Sequence, residues 1–199
     1  MSAALPEAAL DQLFRNARTY NHYLDKPVEG HVLEAIWDLV KFGPTSANSL
    51  PARIVWCVSD EAKGKLAPLC SSTNADKVRK APVTAIIGMD VNFHDNLPEF
   101  FPHAPAMKTM MDGLPELARE MMALRNSSLQ GAYFIIAARA LGLDTGPMSG
   151  FNNAAVDEAF FADMPGVKSN FIATLGYGEP GTPHARLPRP DFARFNTVV

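Results

Sequence analysis

Apolar residues first recur at helical spacing near the start of the chain, where Leu10, Leu13, Phe14 and Ala17 share one face of a helix predicted over residues 6–18. A second helix is predicted over 29–42, with Val32, Leu33, Ile36, Leu39 and Val40 turned inward. Gly43-Pro44 is expected to end it, the glycine as a left-handed cap and the proline as a block to continuation. The period then changes. Residues 53–58 form a continuous apolar run, as a strand covered on both faces would, and 83–89 reads as another strand after the stop Ala81-Pro82. No period holds over 91–115, where Pro98, Pro102 and Pro105 alternate with Phe93, His94, Phe100, Phe101, His103 and several methionines. That stretch is too apolar for a solvated linker, and we read it as a mobile loop or short-helix insertion, such as an active-site lid.

From 116 to 141 the helical pattern returns through Leu117, Met121, Leu124, Tyr133, Ile136 and Ala140, with a bend or fresh start expected at Asn126-Ser127-Ser128. Leu141-Gly142-Leu143 closes this helix and Asp144-Thr145-Gly146-Pro147 reads as a turn. An asparagine-capped helix over 153–161 precedes a third strand at 171–176. The tail after Gly176 holds Pro180, Pro183, Pro188 and Pro190 and almost no core residues, so it needs a partner surface and points to a dimer. Strands separated by helices within one domain over 1–199 indicate an α/β or α+β class.

Composition narrows the function classes. The 199 residues are 47% hydrophobic and 20% charged, which is globular, and the net charge of −3 is too balanced for a nucleic-acid or anionic-membrane footprint. No run of 18 apolar residues suggests a transmembrane helix, and the N-terminal stretch lacks the basic and apolar regions of a signal peptide, so a cytoplasmic location is expected. Cys57 and Cys70 make no disulfide framework, and Cys57 reads as a buried, inert thiol.

Several familiar motifs fail. Gly176-Tyr177-Gly178-Glu179-Pro180-Gly181 spells a dinucleotide fingerprint, but Pro180 and Pro183 break the helix that must follow. The five histidines show no metal-ligand pairing, and Ser149 lies outside a nucleophile elbow.

Four scattered segments share small polar groups, cations and Gly/Pro-shaped backbone. Arg18-Thr19-Tyr20-Asn21 sets a guanidinium beside a hydroxyl and an amide, a set suited to phosphate. The loop from Gly43 to Pro51 stacks hydroxyls and amides before a strand, Asn74 and Lys77 stand one helical turn apart, and Gly146 to Phe151 offers backbone N–H groups to a planar ligand. Each segment alone reads equally as a helix end, a loop or an exposed helix start.

Together and in this order they resemble the nitroreductase family of FMN-dependent NAD(P)H oxidoreductases over nearly the whole chain. Arg18 to Tyr23 followed by Asp25-Lys26-Pro27-Val28 is similar to the family's R-S-x-R-x-F…P signature. Pro44 to Pro51 is similar to its P-S-x-x-N-x-Q-P-W loop, and Leu141 to Phe151 to its A-L-G-x-x-x-x-P-x-x-G-F turn. The strings GPTSAN, LPEF-F-PH, LGLDTGPMSGF and ARLPR resemble the malonic semialdehyde reductase subgroup, associated with bacterial uracil breakdown. Asn21 stands in place of the usual basic residue, Leu50 and Ala52 in place of Gln and Trp, and His184 where some relatives carry Lys.

The resemblance implies an α+β nitroreductase-like fold with a central mixed β-sheet flanked by helices. It implies FMN at a homodimer interface and exchanged C-terminal arms over 177–199. Arg18, Thr19 and Asn21 would hold the FMN phosphate and ribityl chain, with Arg186 as a second phosphate contact. Pro44, Thr45, Ser46 and Asn48 would come from the other subunit. Asn74 and Lys77 would face the pyrimidine side of the ring, and Pro147, Met148, Ser149 and Gly150 would pack on it, with N–H groups near N5. NADH or NADPH would deliver hydride to N5 and leave before the acceptor enters, so no catalytic side chain and no metal is implied. The acceptor favoured by the resemblance is malonic semialdehyde, giving 3-hydroxypropionate. The alternatives are a broad nitro, quinone or enone reductase and, in another class, a non-catalytic flavin-binding partner protein.

Overall fold

The computed structural model describes residues 3–199, so the first two positions of the N-terminal stretch lie outside it. The chain opens with α1 (Glu7–Leu10), which widens directly into a π-helical turn at Asp11–Arg15 and stops short of the predicted end at 18. Helix α2 (Gly30–Val40) buries Leu33, Ile36 and Val40 as its spacing requires. Gly43 does not adopt the expected left-handed conformation. The positive φ angles come later, at Ala47, Asn48 and Leu50. What Gly43 provides is space, since a Cβ there would lie 3.0 Å from the Tyr133 ring and 3.1 Å from the Val40 carbonyl.

Strand β1 (Ala52–Cys57) leads to α3 (Asp60–Leu66), whose N-terminus is capped by Ser59 Oγ accepting from the Ala62 N–H at 3.1 Å. Helix α4 (Ser72–Lys80) and strand β2 (Val83–Asp90) follow. The 91–115 stretch takes the short-helix form of the two expected. It holds a 3-10 turn at Phe93–Asn96, α5 (Leu97–Phe100) and α6 (Ala106–Asp112), with Phe93, His94, Leu97 and Met111 buried. Helix α7 (Glu116–Ala140) runs unbroken through 126–128. Asn126 Nδ2 and Ser128 Oγ donate back to the Met122 and Leu124 carbonyls, each at 2.8 Å, so these polar side chains feed the helix ladder instead of leaving it.

The predicted turn at 144–147 is a strand, β3 (Asp144–Met148), and α8 (Asn153–Phe160) is capped by Asn152, one residue before the helix. Strand β4 (Val167–Gly176) is longer than its apolar segment suggests, and α9 (Phe192–Phe195) sits in the exposed tail. The four strands pair antiparallel in the order β1-β2-β4-β3, and the one parallel pairing is an isolated bridge, Thr19 to Thr145. Among the described residues the sheet is therefore antiparallel and not the mixed sheet expected, since the Thr19–Thr145 bridge lies outside its strands.

Strand β2 is buried at every position because helices cover both faces of the sheet. On one side α2 and α7 pack Ile36, Val40, Phe134 and Ala138 onto Val83, Ala85, Ile87 and Leu175. On the other, α3, α4 and α8 pack Leu66, Val78 and Val156 onto Ile86 and Ile172. Strand β1 is only half-buried along its middle, because it is an edge strand and not the doubly covered strand its apolar run suggests. Cys57 is fully buried there, and desolvation together with nearby Cys70 pushes its thiol up to about 11, so it is inert as expected.

Polar bonds stitch α7 to the sheet: Ser127 Oγ donates to the Gly88 carbonyl at 2.9 Å, and Gln130 Oε1 accepts from the Ala52 N–H at 2.9 Å. A register shift beside Ile87 leaves Asn170 unpaired on β4, and its amide reaches Ser127 and Ser128 instead. Gly131 lets the Phe171 ring against α7; a Cβ would lie 2.4 Å from Cε1. Alanine is worth about 0.5–1 kcal/mol more than glycine inside a helix. Overpacking a tight contact costs about 1–3 kcal/mol. The net cost is about 0–2.5 kcal/mol, so Gly131→Ala is expected to lower Tm by up to roughly 10 °C, at about 2–4 °C per kcal/mol for a chain this size. A thermal melt in which Tm rises would show that the ring moves aside freely.

Candidate functional site

The N-terminal and C-terminal segments meet at the start of β3. Tyr20 N–H donates to the Thr145 carbonyl at 3.1 Å, beside the Thr19–Thr145 bridge. Gly146 makes this seat possible, since a Cβ there would lie 2.4 Å from the Tyr20 carbonyl oxygen. The tail comes back over the same ground. Gly178 N–H donates to Asp144 Oδ2 at 3.1 Å, Arg186 Nη2 donates to the Arg15 and Ala17 carbonyls at 2.6 and 3.0 Å, and Arg18 donates to the His184 carbonyl. The result is a cavity of about 390 Å³ lined by Arg18, Thr19, Asn21, Arg139, Arg186 and Arg189, among others. Four of the sequence-predicted residues, Arg18, Thr19, Asn21 and Arg186, are brought together here although up to 168 positions separate them.

Sequence reasoning missed Arg139 and Arg189. Arg139 stands in the last turn of α7, where a cation suits a helix C-terminus, and nothing local marks it as part of a distant cavity. None of the four cavity arginines belongs to an ion pair among the described residues. Their acceptors are backbone carbonyls. Asp144 stands near Arg139, but burial raises its carboxyl above the usual range, against the pull of the Gly178 N–H and Arg139. Four guanidiniums with one carboxylate, Asp144, nearby leave the cavity with a surplus of positive charge, and it can bind an anion with several oxygens.

The other end of β3 forms the second part of the site. Pro147 and Met148 close the strand, and Ser149-Gly150 leads away from it. Asn74 Nδ2 and the Ser71 N–H both donate to the Gly150 carbonyl, at 3.1 and 2.9 Å, and Lys77 Nζ lies 3.5 Å from Asn74 Oδ1. A Cβ on Gly150 would lie 2.8 Å from Asn74 Nδ2, so glycine is what allows this contact. Pro147, Met148 and Ser149 also border a mostly apolar hollow of about 360 Å³ with Ala132, Ile135 and Phe171. At about 3.3 Å per strand residue, Thr145 and Ser149 stand roughly 13 Å apart. A cationic cavity and a mostly apolar hollow thus lie toward opposite ends of one strand, and the Asn74–Lys77 pair is bonded to the Gly150 loop beyond it.

The 44–51 loop is not joined to these parts within the chain. Ser46 N–H donates to Asn126 Oδ1 and Asn48 Nδ2 to the Phe100 carbonyl, each at 2.8 Å, and Leu50 N–H donates to Thr45 Oγ1 at 3.2 Å. Arg53 braces its end, with Nη1 on the Leu50 carbonyl at 3.0 Å and Nη2 on Asp90 Oδ2 at 2.6 Å. Pro44, Thr45, Ser46 and Asn48 therefore sit on α7 and α5, away from Arg18, Asn74 and Pro147.

The dinucleotide-like glycines do other work. Gly176 ends β4, and Gly178 packs where a Cβ would lie 2.4 Å from the Tyr20 ring. No phosphate-binding helix follows them. Of the histidines, His94 shares a cluster with Asp95 and Asp112, but Lys108 already bridges both carboxylates at 3.1 and 2.9 Å.

Known proteins share this fold and sequence. The chain is 60% identical over 192 residues, 96% of both chains, to a Stenotrophomonas maltophilia protein provisionally named as an NADH dehydrogenase/NAD(P)H nitroreductase. A provisionally named nitroreductase of Bacillus subtilis superposes with a TM-score of 0.88 over 98% of this chain and all of its own, at 20% identity. One from Exiguobacterium sibiricum, solved in complex with FMN, gives 0.81 over 94% and 95%, at 23% identity. At such identities the likeness is one of fold. The profile of the Nitroreductase family matches residues 14–178, a span that contains the β3 strand and both of its ends, and the chain belongs to that family.

Proposed function

We propose that this chain is an FMN-dependent NAD(P)H oxidoreductase acting as a homodimer. The observation that carries the reading is the placement of an arginine-lined cavity and an apolar shelf at opposite ends of β3. A flavin mononucleotide has that same division, a phosphate dianion at one end and a flat ring system at the other. The residues fit the group: four guanidiniums without a carboxylate partner line one cavity together with Thr19 and Asn21, and an apolar hollow lies beyond it along β3.

In this reading Arg18 and Arg186 bind the phosphate, with Thr19 and Asn21 supplying hydroxyl and amide hydrogen bonds toward it and the ribityl chain. Pro147, Met148, Ser149 and Gly150 support the ring, the backbone N–H groups of Ser149 and Gly150 serving its central nitrogen. Asn74 and Lys77 hold the pyrimidine edge, where the ammonium offsets negative charge. Pro44, Thr45, Ser46 and Asn48 of a second copy complete the site. The bound flavin supplies hydride transfer between a nicotinamide and an acceptor, so the protein's task is to bind, orient and exclude water.

Homodimer formation is supported by unpartnered apolar surface. Leu187, Phe192, Phe195 and Val198 of the tail are 67–85% exposed, the outer edge of β1 is unpaired, and Leu117, Met121, Leu129 and Tyr133 form an exposed stripe along α7. A small monomer does not keep so much apolar area in water. Among the described residues no helix is long and apolar enough to cross a membrane, and both cysteines are free; a cytoplasmic location is part of the proposal.

Purified protein is expected to show flavin absorption bands, release FMN and not FAD on heating, and oxidise NADH or NADPH steadily once an acceptor is added. Colourless, folded protein that takes up no FMN would overturn the reading, and flavin binding without turnover on any acceptor would leave a non-catalytic flavin protein. Malonic semialdehyde is the acceptor favoured by the sequence strings. A nitro, quinone or enone acceptor is the second reading, favoured by the apolar lining of the shelf. The ratio of kcat/KM values between these acceptors separates the two.

A further inference from the structure

Three residues that carry a Cβ share left-handed backbone within a single loop. Ala47, Asn48 and Leu50 have φ of +53°, +48° and +42°. Asparagine visits that region readily, whereas alanine and a bulky leucine stay there only where neighbours hold them. Besides Thr45 Oγ1, which accepts from Leu50 N–H, the holding contacts come from outside the loop. Ser46 N–H is fixed by Asn126 of α7, and the Asn48 amide by the Phe100 carbonyl of α5. Leu50 is held through its carbonyl, which accepts from Arg53 Nη1 at 3.0 Å. The same Nη1 lies 3.0 Å from the Ala52 carbonyl, and Nη2 pairs with Asp90 Oδ2 at 2.6 Å. Asp90 is buried at the end of β2, and its Oδ1 accepts the Asn92 N–H at 2.8 Å. A guanidinium can fill both posts because its N–H groups lie in one rigid plane, and an ammonium fills them less well. Held in this way, the loop exposes Pro44, Ser46 and Asn48 and buries Ser49.

We propose that Arg53 is a positioning residue, holding Leu50 in the left-handed conformation that presents Pro44, Ser46 and Asn48 to the flavin of a second copy. Asp90 fixes the guanidinium for this task. The assignment rests on the shared-site reading given under the proposed function and deepens it. It also gives the 91–115 stretch a part in the site, since Asn92 and Phe100 belong to it and steady the loop through Asp90 and Asn48.

The test titrates FMN and riboflavin into flavin-free wild type, Arg53→Lys, the neutral pair Arg53→Gln/Asp90→Asn, and that pair combined with Leu50→Gly, with a thermal melt of each protein. The neutral pair leaves no carboxylate buried alone, which spares the fold. It is expected to weaken FMN about tenfold, the population lost when one left-handed residue is no longer held. Riboflavin should weaken by the same factor, because the loop serves the part that both flavins share. Arg53→Lys is expected to fall between, about threefold weaker for both flavins. Adding Leu50→Gly to the neutral pair is expected to restore affinity to within about threefold of wild type, since glycine takes positive φ without a brace. A residue that only stabilised the fold would shift the melting temperature and leave both Kd values where they were. Unchanged Kd values in the neutral pair, or a loss that Leu50→Gly does not relieve, would therefore overturn the assignment. Wild type that takes up no flavin, or takes it up as a monomer, would overturn the shared-site reading and the role of Arg53 with it.

Discussion

Arg18→Ala is expected to weaken FMN binding by on the order of 10- to 1,000-fold while leaving riboflavin binding almost unchanged. A phosphomonoester carries nearly two negative charges, and each charge-assisted hydrogen bond to it is worth about 1.5–3 kcal/mol. Arg18 is free to make them, since its one contact is the His184 carbonyl and it belongs to no ion pair among the described residues. Asn21 lines the same cavity with a neutral amide, whose bonds are worth roughly 0.5–1.5 kcal/mol, so Asn21→Ala should cost far less. Riboflavin lacks the phosphate; its use and the Arg18 substitution remove the same interaction, and the two losses should not add. Isothermal titration of both flavins into flavin-free wild type and both variants closes the cycle. If riboflavin is weakened as much as FMN, Arg18 is a structural residue that pins the tail.

Deleting residues 182–199 is expected to turn a dimer into a monomer and to lower FMN affinity by about 100-fold or more. The deletion removes Arg186 and Arg189, two of the four guanidiniums in the cavity, and two charge-assisted bonds at about 1.5 kcal/mol each already account for that factor. It also removes Leu187, Phe192, Phe195 and Val198, whose apolar area has no cover within the chain. Sedimentation velocity at micromolar concentration, read at a flavin wavelength, reports both effects at once. Full-length protein that sediments as a flavin-loaded monomer would end the shared-site reading, because the 44–51 loop cannot reach Arg18, Asn74 or Pro147 of its own chain through any contact it makes.

Much of the scaffold was legible because local physics decides it. The 3.6-residue spacing of Leu33, Ile36 and Val40 gives α2, the uninterrupted apolar run gives β2, and Gly142, at φ +78°, ends α7 where the pattern stops. Strand β3 was not legible. Gly146 and Pro147 carry the composition of a turn, yet β3 is an edge strand, where a proline is tolerated because its missing N–H breaks no ladder on the open side. The apolar run of β1 suggests two covered faces, but how much cover it receives depends on where it falls in the sheet order, which no local pattern encodes.

The site divides the same way. Arg18, Thr19, Asn21, Asn74, Lys77, Ser149, Gly150 and Arg186 stand out in the sequence because small polar groups and cations beside Gly or Pro are unusual in a packing role. Arg139 and Arg189 do not, since a helix-end arginine and one between two prolines each have an ordinary local explanation. By itself the sequence singled out the residues proposed for phosphate-type and ring-type chemistry, and excluded a dinucleotide fingerprint at Gly176–Gly181 because Pro180 and Pro183 follow it. Only the tertiary structure decided that the two chemistries lie toward opposite ends of β3, that Gly146 lets the N-terminal segment lie against it, and that α7 adds a fourth cation. The physical reason is that these depend on close approach between segments more than 100 residues apart, where a missing Cβ acts on atoms that no local pattern contains.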